Sequence, residues 1–282
     1  DILLLSVPPQ HGKSMTISET LPSWFLTNNP DKSVLMVSYN EQFAVKFGRA
    51  NKQKFDEFAG KIDDSLQIDS EQRSNLNWSI KGRRGECNSR GITSGITGNK
   101  AHLVIIDDPI KNREEAFSAN QRDKIWEEYK SSILTRTQAN AKLIIIQTRW
   151  HEDDLYGRVK KDAADPTVIN IPVECVDPAT DPLGREKGDS LLPEIGKNKK
   201  WLASFKKNYE DKAGKSTWTA LYMGNPTIDG GNIFRTEYWK YYEKLPIDMP
   251  VTILSVDASF KDKDDSDFVA LQVWGKRHKN YY

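Results

Sequence analysis

A Gly-Lys-Ser triplet near the start of the chain provides the first residues with recognisable chemistry. Gly12-Lys13-Ser14 lies between the apolar run Ile2–Val7 and a segment with helical spacing. In a strand–loop–helix setting, main-chain N–H groups hold phosphate oxygens, the lysine reaches the β- and γ-phosphates, and the serine hydroxyl binds Mg²⁺. Val7 replaces the first glycine of the usual pattern, so an ordinary turn with a solvated lysine stays open. We predict a phosphate loop whose nucleotide-binding residues are Pro9, Gln10, His11, Gly12, Lys13 and Ser14.

Two adjacent carboxylates form the second chemical group. Asp107 and Asp108 follow the apolar run Leu103–Ile106 and precede Pro109. A carboxylate at the tip of a strand beside a phosphate loop suits Mg²⁺. We predict that Asp107 acts on the metal, together with Ser14, and that Asp108 polarises an attacking water. The alternative is a turn or helix cap, because Asp-Pro commonly begins a turn.

The elements that position these groups follow from short apolar runs that alternate with helical segments. Near-continuous apolar strands alternating with helices predict an α/β fold with a mostly parallel sheet covered on both faces. The glycine-rich stretch 76–98 is interpreted as antiparallel strands or loops inserted into the sheet. The predicted strands are Ile2–Val7, Val34–Tyr39, Leu103–Asp107, Leu143–Thr148 and Val168–Val173, and the predicted helices are Ser14–Thr27, Glu41–Phe58, Arg113–Thr135 and Asp153–Asp162.

Beyond Pro193 the pattern changes. Trp201–Asp211 and Thr217–Met223 are predicted as two amphipathic helices with no strand between them, and the following Asn225–Gly231 has the composition of a linker. Thr252–Asp257 and Phe268–Trp274 then predict strands of a second domain. The predicted domains are a core at 1–195 with a truncated N-terminus, a helical lid at 196–226, a linker at 227–250 and an incomplete second domain at 251–282.

Composition excludes several classes of protein. The chain has 282 residues, a net charge of +1 and 37% hydrophobic residues, which is ordinary for a globular protein. No apolar run is long enough to span a membrane. Cys87 and Cys175 are the two cysteines and have no neighbouring cysteine, which argues against a disulfide scaffold or a cysteine zinc site.

A third polar segment follows the strand at Leu143–Gln147. It reads Thr148-Arg149-Trp150-His151-Glu152-Asp153-Asp154-Leu155. From the residues alone it is typical of a helix N-terminus, because acidic residues favour the first turn. Together with Pro8–Ser14 and Ile105–Pro109, in this order, it resembles the large terminase subunit of tailed bacteriophages. The likeness extends to Lys111–Ala116 and to Trp218–Pro226 followed by Gly231-Asn232-Ile233-Phe234, and so covers essentially the whole chain.

The resemblance implies a P-loop NTPase with a small helical lid, followed by the start of an RNase H-like nuclease domain. It implies ATP and Mg²⁺ as cofactors of a motor that packages double-stranded viral DNA, and Thr148 as a residue that senses the γ-phosphate. The implied partners are a portal protein on a procapsid and a small terminase subunit. The implied assembly is a homo-oligomeric ring on the portal and a monomer in isolation. The implied location is the cytoplasm of an infected bacterium, outside the mature virion.

Two departures concern arginines of the family. Gln10 stands where many members carry an arginine in the phosphate loop. In many members the segment that corresponds to Thr97–His102 carries an arginine that is a candidate trans-acting finger. Here Asn99 stands in the place of that arginine, and Lys100 or Arg90 are the possible substitutes. The finger is therefore not identified from the sequence.

The resemblance also extends to a nuclease. Asp257 ends an apolar strand and matches the family's first metal-binding carboxylate, for Mg²⁺ or Mn²⁺, and Asp267 lies where the second strand returns. A two-metal site needs further carboxylates, so this stretch is not expected to cut DNA alone.

Several other functions stay open. They are a nucleic-acid helicase or remodeller, a nuclease with a regulatory nucleotide-binding domain, and a non-enzymatic nucleotide-binding scaffold. The paired Asp107-Asp108 argues against the scaffold. Basic segments at Lys197–Lys200 and Arg83-Arg84 are either DNA contacts or solvated surface.

Overall fold

An eight-stranded sheet organises residues 1–229 in the computed structural model of the protein. The structure describes residues 1–96, 98, 100–227, 244, 248–257, 270–277 and 280–281. The spatial order of the strands is β3-β4-β5-β2-β6-β7-β1-β8. Their bounds are β1 Ile2–Ser6, β2 Ser33–Ser38, β3 Ile68–Arg73, β4 Asn77–Ile80, β5 Glu86–Gly91, β6 Ala101–Asp107, β7 Thr137–Gln147 and β8 Thr167–Asn170.

The six strands from β5 to β8 in this order pair in parallel, which confirms the predicted α/β architecture. β3 and β4 add an antiparallel margin, because β4 pairs antiparallel with both β3 and β5. The inserted stretch is therefore antiparallel in β4, as predicted, but β5 joins the parallel part. Since β1, β2, β6 and β7 run in one direction, their carboxyl ends meet at one edge of the sheet.

Helices cover the sheet, and two of the predicted ones are interrupted. The expected helix Ser14–Thr27 breaks at 17–20, where Pro22 near the start of the second piece has no N–H for the helical ladder. The expected helix Arg113–Thr135 breaks at Ser118, whose hydroxyl caps a new helix by accepting from the Gln121 N–H. The helices are α1 Lys13–Thr16, α2 Leu21–Asn28, α3 Glu41–Ile62, α4 Arg113–Phe117, α5 Ala119–Glu128, α6 Leu155–Asp162, α7 Lys199–Ala213 and α8 Lys215–Leu221.

The hydrophobic core lies on both faces of the sheet. Val34 and Met36 of β2 contribute to one cluster, and Leu35 and Val37 contribute to the other. All four are fully buried, as expected for a parallel strand between two helical layers. The near-continuous apolar runs in the sequence therefore reflect burial on both sides.

The two helices α7 and α8, here called the helical pair, build a third cluster with Val173. Its other buried members are Leu202, Trp218, Leu221 and Tyr222. Trp150, directly after β7, packs against both this cluster and the sheet core. The chain therefore has an aromatic contact between the helical pair and the region after β7.

Residues 230–282 form a separate unit. Its described strands are β9 Val251–Asp257, β10 Ala270–Arg277 and β11 Asn280–Tyr281, all antiparallel. β9 is apolar yet exposed, with Ile253 57% and Leu254 60% accessible. Among the described residues of the chain, no helix has the length and apolar character needed to cross a membrane.

Candidate active site

The loop between β1 and α1 contains the residues that the sequence predicts to bind phosphate. Gln10 has φ 59° and Gly12 has φ 80°, so both residues adopt the left-handed region of backbone conformation. Only glycine enters this region without a steric cost, which explains Gly12 at the start of α1. The Gly12 carbonyl accepts from the Thr16 N–H at 3.0 Å, and Lys13 and Ser14 then begin the helix.

Lys13 points from α1 to the carboxylates that end β6. Its ammonium forms an ion pair with Asp108 and lies 3.9 Å from Asp107, and its side chain is only 10% exposed. Burial alone would lower the pKa of Lys13, but the two carboxylates outweigh it and raise that pKa. Lys13 is therefore charged and held beside the acidic pair.

Asp107 is the more buried carboxylate, with a side-chain exposure of 1%. Its Oδ2 accepts a hydrogen bond of 2.5 Å from the hydroxyl of Ser18, a residue that sequence reasoning missed. Burial and the charge of Asp108 raise the pKa of Asp107. The Lys13 ammonium and the hydroxyls of Ser18 and Ser14 act in the opposite direction.

Asp108 is held by β7 and remains partly accessible. Its φ of 42° is unusual for a residue other than glycine, and it follows the end of β6 directly. Its Oδ1 accepts from the Thr148 N–H at 2.8 Å, and its own N–H donates to the carbonyl of Ile146 at 3.0 Å. With a side-chain exposure of 32%, Asp108 can still reach solvent or a ligand.

The donor set around Asp107 fits a magnesium ion. Asp107 Oδ1 is buried, and the described residues offer it no hydrogen-bond partner. The Ser14 hydroxyl is close enough to lower the pKa of Asp107. Hard oxygen donors of this kind suit Mg²⁺, which usually keeps waters and binds substrate phosphates. The described part of the chain contains no cluster of three or more metal-binding side chains.

The segment after β7 is closed by a buried ion pair. Arg149 Nε donates to Asp154 Oδ2 at 2.7 Å, and the other oxygen of Asp154 accepts from the Gly157 N–H at 2.9 Å. Asp154 is thereby the N-cap of α6, as the sequence indicated. The Arg149 guanidinium also lies 4.2 Å from the ring centroid of Tyr156. These contacts shape the turn after β7.

The helical pair reaches the outer side of the phosphate loop. Lys197, just before α7, donates from Nζ to the carbonyl oxygen of Gln10 at 2.5 Å. His11 is buried, and its ring centroid lies 6.4 Å from that of Trp201. His11 Nδ1 pairs with the Pro9 carbonyl, and burial lowers the pKa of His11. The loop is therefore contacted on one side by the acidic pair and on the other by the helical pair.

The structure brings most of the predicted site residues together at one edge of the sheet. The loop, the acidic pair and Thr148 converge there through the contacts given above. Asp257 instead lies at the end of β9 in the separate unit. Arg90, one proposed finger, donates to the main-chain carbonyls of Leu76 and Ser89. Three other predicted positions, Thr97, Asn99 and Asp267, lie outside the described residues.

A Gly-Lys-Ser loop after the first strand, with paired acids at the end of a parallel strand that is separated from it in the sheet only by β7, defines the class of P-loop NTPase folds. Within that class, residues 4–240 match the family described as terminase large subunit, T4likevirus-type, N-terminal, and the chain belongs to this family. No curated protein is significantly similar in sequence.

Two solved structures share this fold. The HK97 bacteriophage large terminase is 15% identical with a TM-score of 0.50, and the match covers 99% of this chain and 57% of that one. The Thermus phage P74-26 large terminase ATPase domain is 11% identical with a TM-score of 0.54, covering 79% of this chain and 88% of that one. The chain thus spans little more than half of the HK97 protein.

Proposed function

We propose that the site binds and hydrolyses ATP. The observation that carries this proposal is the convergence of Lys13, which follows the loop between β1 and α1, with the acidic pair Asp107 and Asp108. A scaffold that only bound nucleotide would need no partly exposed carboxylate next to the lysine. ATP hydrolysis does need one, to orient or deprotonate the attacking water.

The ion pair between Lys13 and Asp108 suggests the order of events. When ATP enters, its phosphates compete for the Lys13 ammonium, and Asp108 is released to accept a proton from water. The Thr148 N–H keeps hold of Asp108 Oδ1, so the freed carboxylate stays oriented. Ser14 and Asp107 would hold Mg²⁺, which neutralises phosphate charge in such reactions.

Phosphate release by the intact protein tests this proposal, measured alone, with DNA, and with DNA and empty procapsids. Lys13→Ala removes the cation that holds the phosphates and should lower turnover about 100- to 1000-fold, the usual effect of losing one charge-stabilising group. The exposed Lys61 provides the matched control, and Lys61→Ala should leave turnover unchanged. Near-normal turnover of Lys13→Ala would refute the assignment.

The proposed biological role is a motor that moves double-stranded viral DNA into a procapsid. Family membership supports it. The proposed setting is the cytoplasm of the infected host, with a portal, a small terminase subunit and a ring of copies as partners. Because the residue that would act as the trans-acting finger is not identified, ATP turnover is expected to depend on assembly of the ring rather than on one named residue. The closely related alternative is a helicase or remodeller. Stimulation of ATP turnover by procapsids would argue against that alternative.

The proposed domains are a core at 1–195, a lid at 196–226, a linker at 227–250 and the start of an RNase H-like nuclease at 251–282. Asp257, at the end of the apolar strand β9, is proposed to bind Mg²⁺ or Mn²⁺ in that nuclease. Asp257→Ala in the intact protein should abolish DNA cutting and spare ATP hydrolysis, since the two sites lie in different units. A plasmid-nicking assay beside an ATPase assay decides this, and persistent nicking would contradict it.

A further inference from the structure

Lys197 connects two parts of the chain that are 187 residues apart in sequence. Its Nζ contacts the main-chain carbonyl of Gln10 at 2.5 Å, in the middle of the phosphate loop. The same Nζ lies 5.6 Å from the ring centroid of Trp201, and Trp201 in turn lies beside His11 of the loop. An aromatic ring and a loop carbonyl therefore hold this ammonium at the edge of the nucleotide site.

The charge balance of the site leaves a role for a second cation. Lys13 is already paired with Asp108 and close to Asp107, so the three groups together carry a net negative charge. A nucleoside triphosphate adds several more negative charges. Within the part of the chain that the structure describes, no carboxylate lies within ion-pairing distance of Lys197. Burial without such a partner also lowers the pKa of Lys197.

We propose that Lys197 is a second phosphate-binding cation, which exchanges the Gln10 carbonyl for an oxygen of the terminal phosphate of a bound nucleoside triphosphate. This inference rests on the proposed function of the site. An anionic oxygen is a stronger acceptor for an ammonium than a neutral carbonyl, so the exchange is favourable. The Gln10 side chain carries no charge. Lys197 supplies a positive charge beside it from a position just before the helical pair. Because Lys197 directly precedes the cap of α7, the exchange also ties the helical pair to the presence of the terminal phosphate.

The test is calorimetric titration of the whole protein with Mg²⁺ and either a non-hydrolysable ATP analogue with an imido bridge or ADP. Lys197→Met keeps the apolar stem over Trp201 but removes the charge, and Lys197→Arg keeps the charge. The matched control is Lys200→Met, which removes an exposed lysine three residues further along. Thermal unfolding of each variant monitors the structural role of the contact.

Lys197→Met is expected to weaken the binding of the triphosphate analogue about tenfold, as for the loss of one charge-assisted contact. The same change should weaken the binding of ADP much less. Lys197→Arg should recover most of the lost affinity, and Lys200→Met should match the wild type. Equal losses for both nucleotides, or no loss, would overturn the inference, because a contact that only braces the loop cannot distinguish them. Absence of nucleotide binding by the wild-type protein would instead refute the proposed function itself, and the inference with it.

Discussion

Buried carboxylates lie at the end of β6 and in the segment that follows the neighbouring strand β7, and the two regions are built differently. At the end of β6, Asp107 keeps one buried oxygen without a hydrogen-bond partner among the described residues, and Asp108 is 32% exposed. After the adjacent β7, Asp154 uses both carboxylate oxygens, one for Arg149 and one for the Gly157 N–H. The pair Asp107 and Asp108 therefore has carboxylate oxygens available for ligands, whereas both oxygens of Asp154 are already used.

This difference shows that the specificity of a motif and its chemistry are separate properties. The segment 148–154 is the part of the sequence most specific for the family, yet its buried charges are fully used in shaping a turn. The acidic pair is common to many ATPases, yet it retains the free oxygen and the accessible carboxylate that a reaction requires. Thr148 joins the two regions, because its N–H holds Asp108.

The largest expected effect on folding concerns the closed region. Asp154→Asn leaves the Arg149 guanidinium buried without its charge partner, since the side chains are only 1% and 9% exposed. The free energy of unfolding should fall by about 3–5 kcal/mol, which is the usual cost of removing one partner of a buried ion pair. Denaturant titration measures it. A loss of turnover with unchanged stability would show that this pair belongs to the chemistry after all.

An exposed ion pair nearby provides the matched control. Asp123 pairs with Arg158 at 2.6 Å and is 60% exposed. Asp123→Asn should therefore change the free energy of unfolding by no more than about 1 kcal/mol. A similar loss from both variants would mean that burial is not what distinguishes the Arg149–Asp154 pair.

The sequence is sufficient to predict the strand that carries the acidic pair. It predicts a strand at Leu103–Asp107, and the strand is found at Ala101–Asp107, because a continuous apolar run must be buried on both faces. Since β1 and β6 are parallel strands of one sheet, separated only by β7, their carboxyl ends share an edge. This topology brings Lys13 and the acidic pair to the same edge, and the ion pair itself is seen in the structure.

Other features were missed for different reasons, because some had a local signal in the sequence and one depends on a contact between distant segments. Ser18 lies one helical turn beyond Ser14, a spacing that was a usable signal for its contact with Asp107. The contact of Lys197 with Gln10 had no such signal, because nothing local to either residue indicates the other. The helix breaks at 17–20 and at Ser118 were readable from Pro22 and from the capping preference of serine.

In the proposed division of roles, Asp107 holds the metal and Asp108 activates the attacking water, and single-turnover analysis of Asp108→Asn with radiolabelled ATP tests this division. The amide cannot accept the proton of the attacking water, which should slow hydrolysis roughly 100- to 10,000-fold. The same change releases Lys13 from its ion pair, so ATP should bind at least as tightly as to the wild type. The protein-bound nucleotide is therefore expected to remain ATP when the sample is quenched. Conversion of bound ATP to ADP at the wild-type rate, or failure of the folded variant to retain ATP, would contradict it.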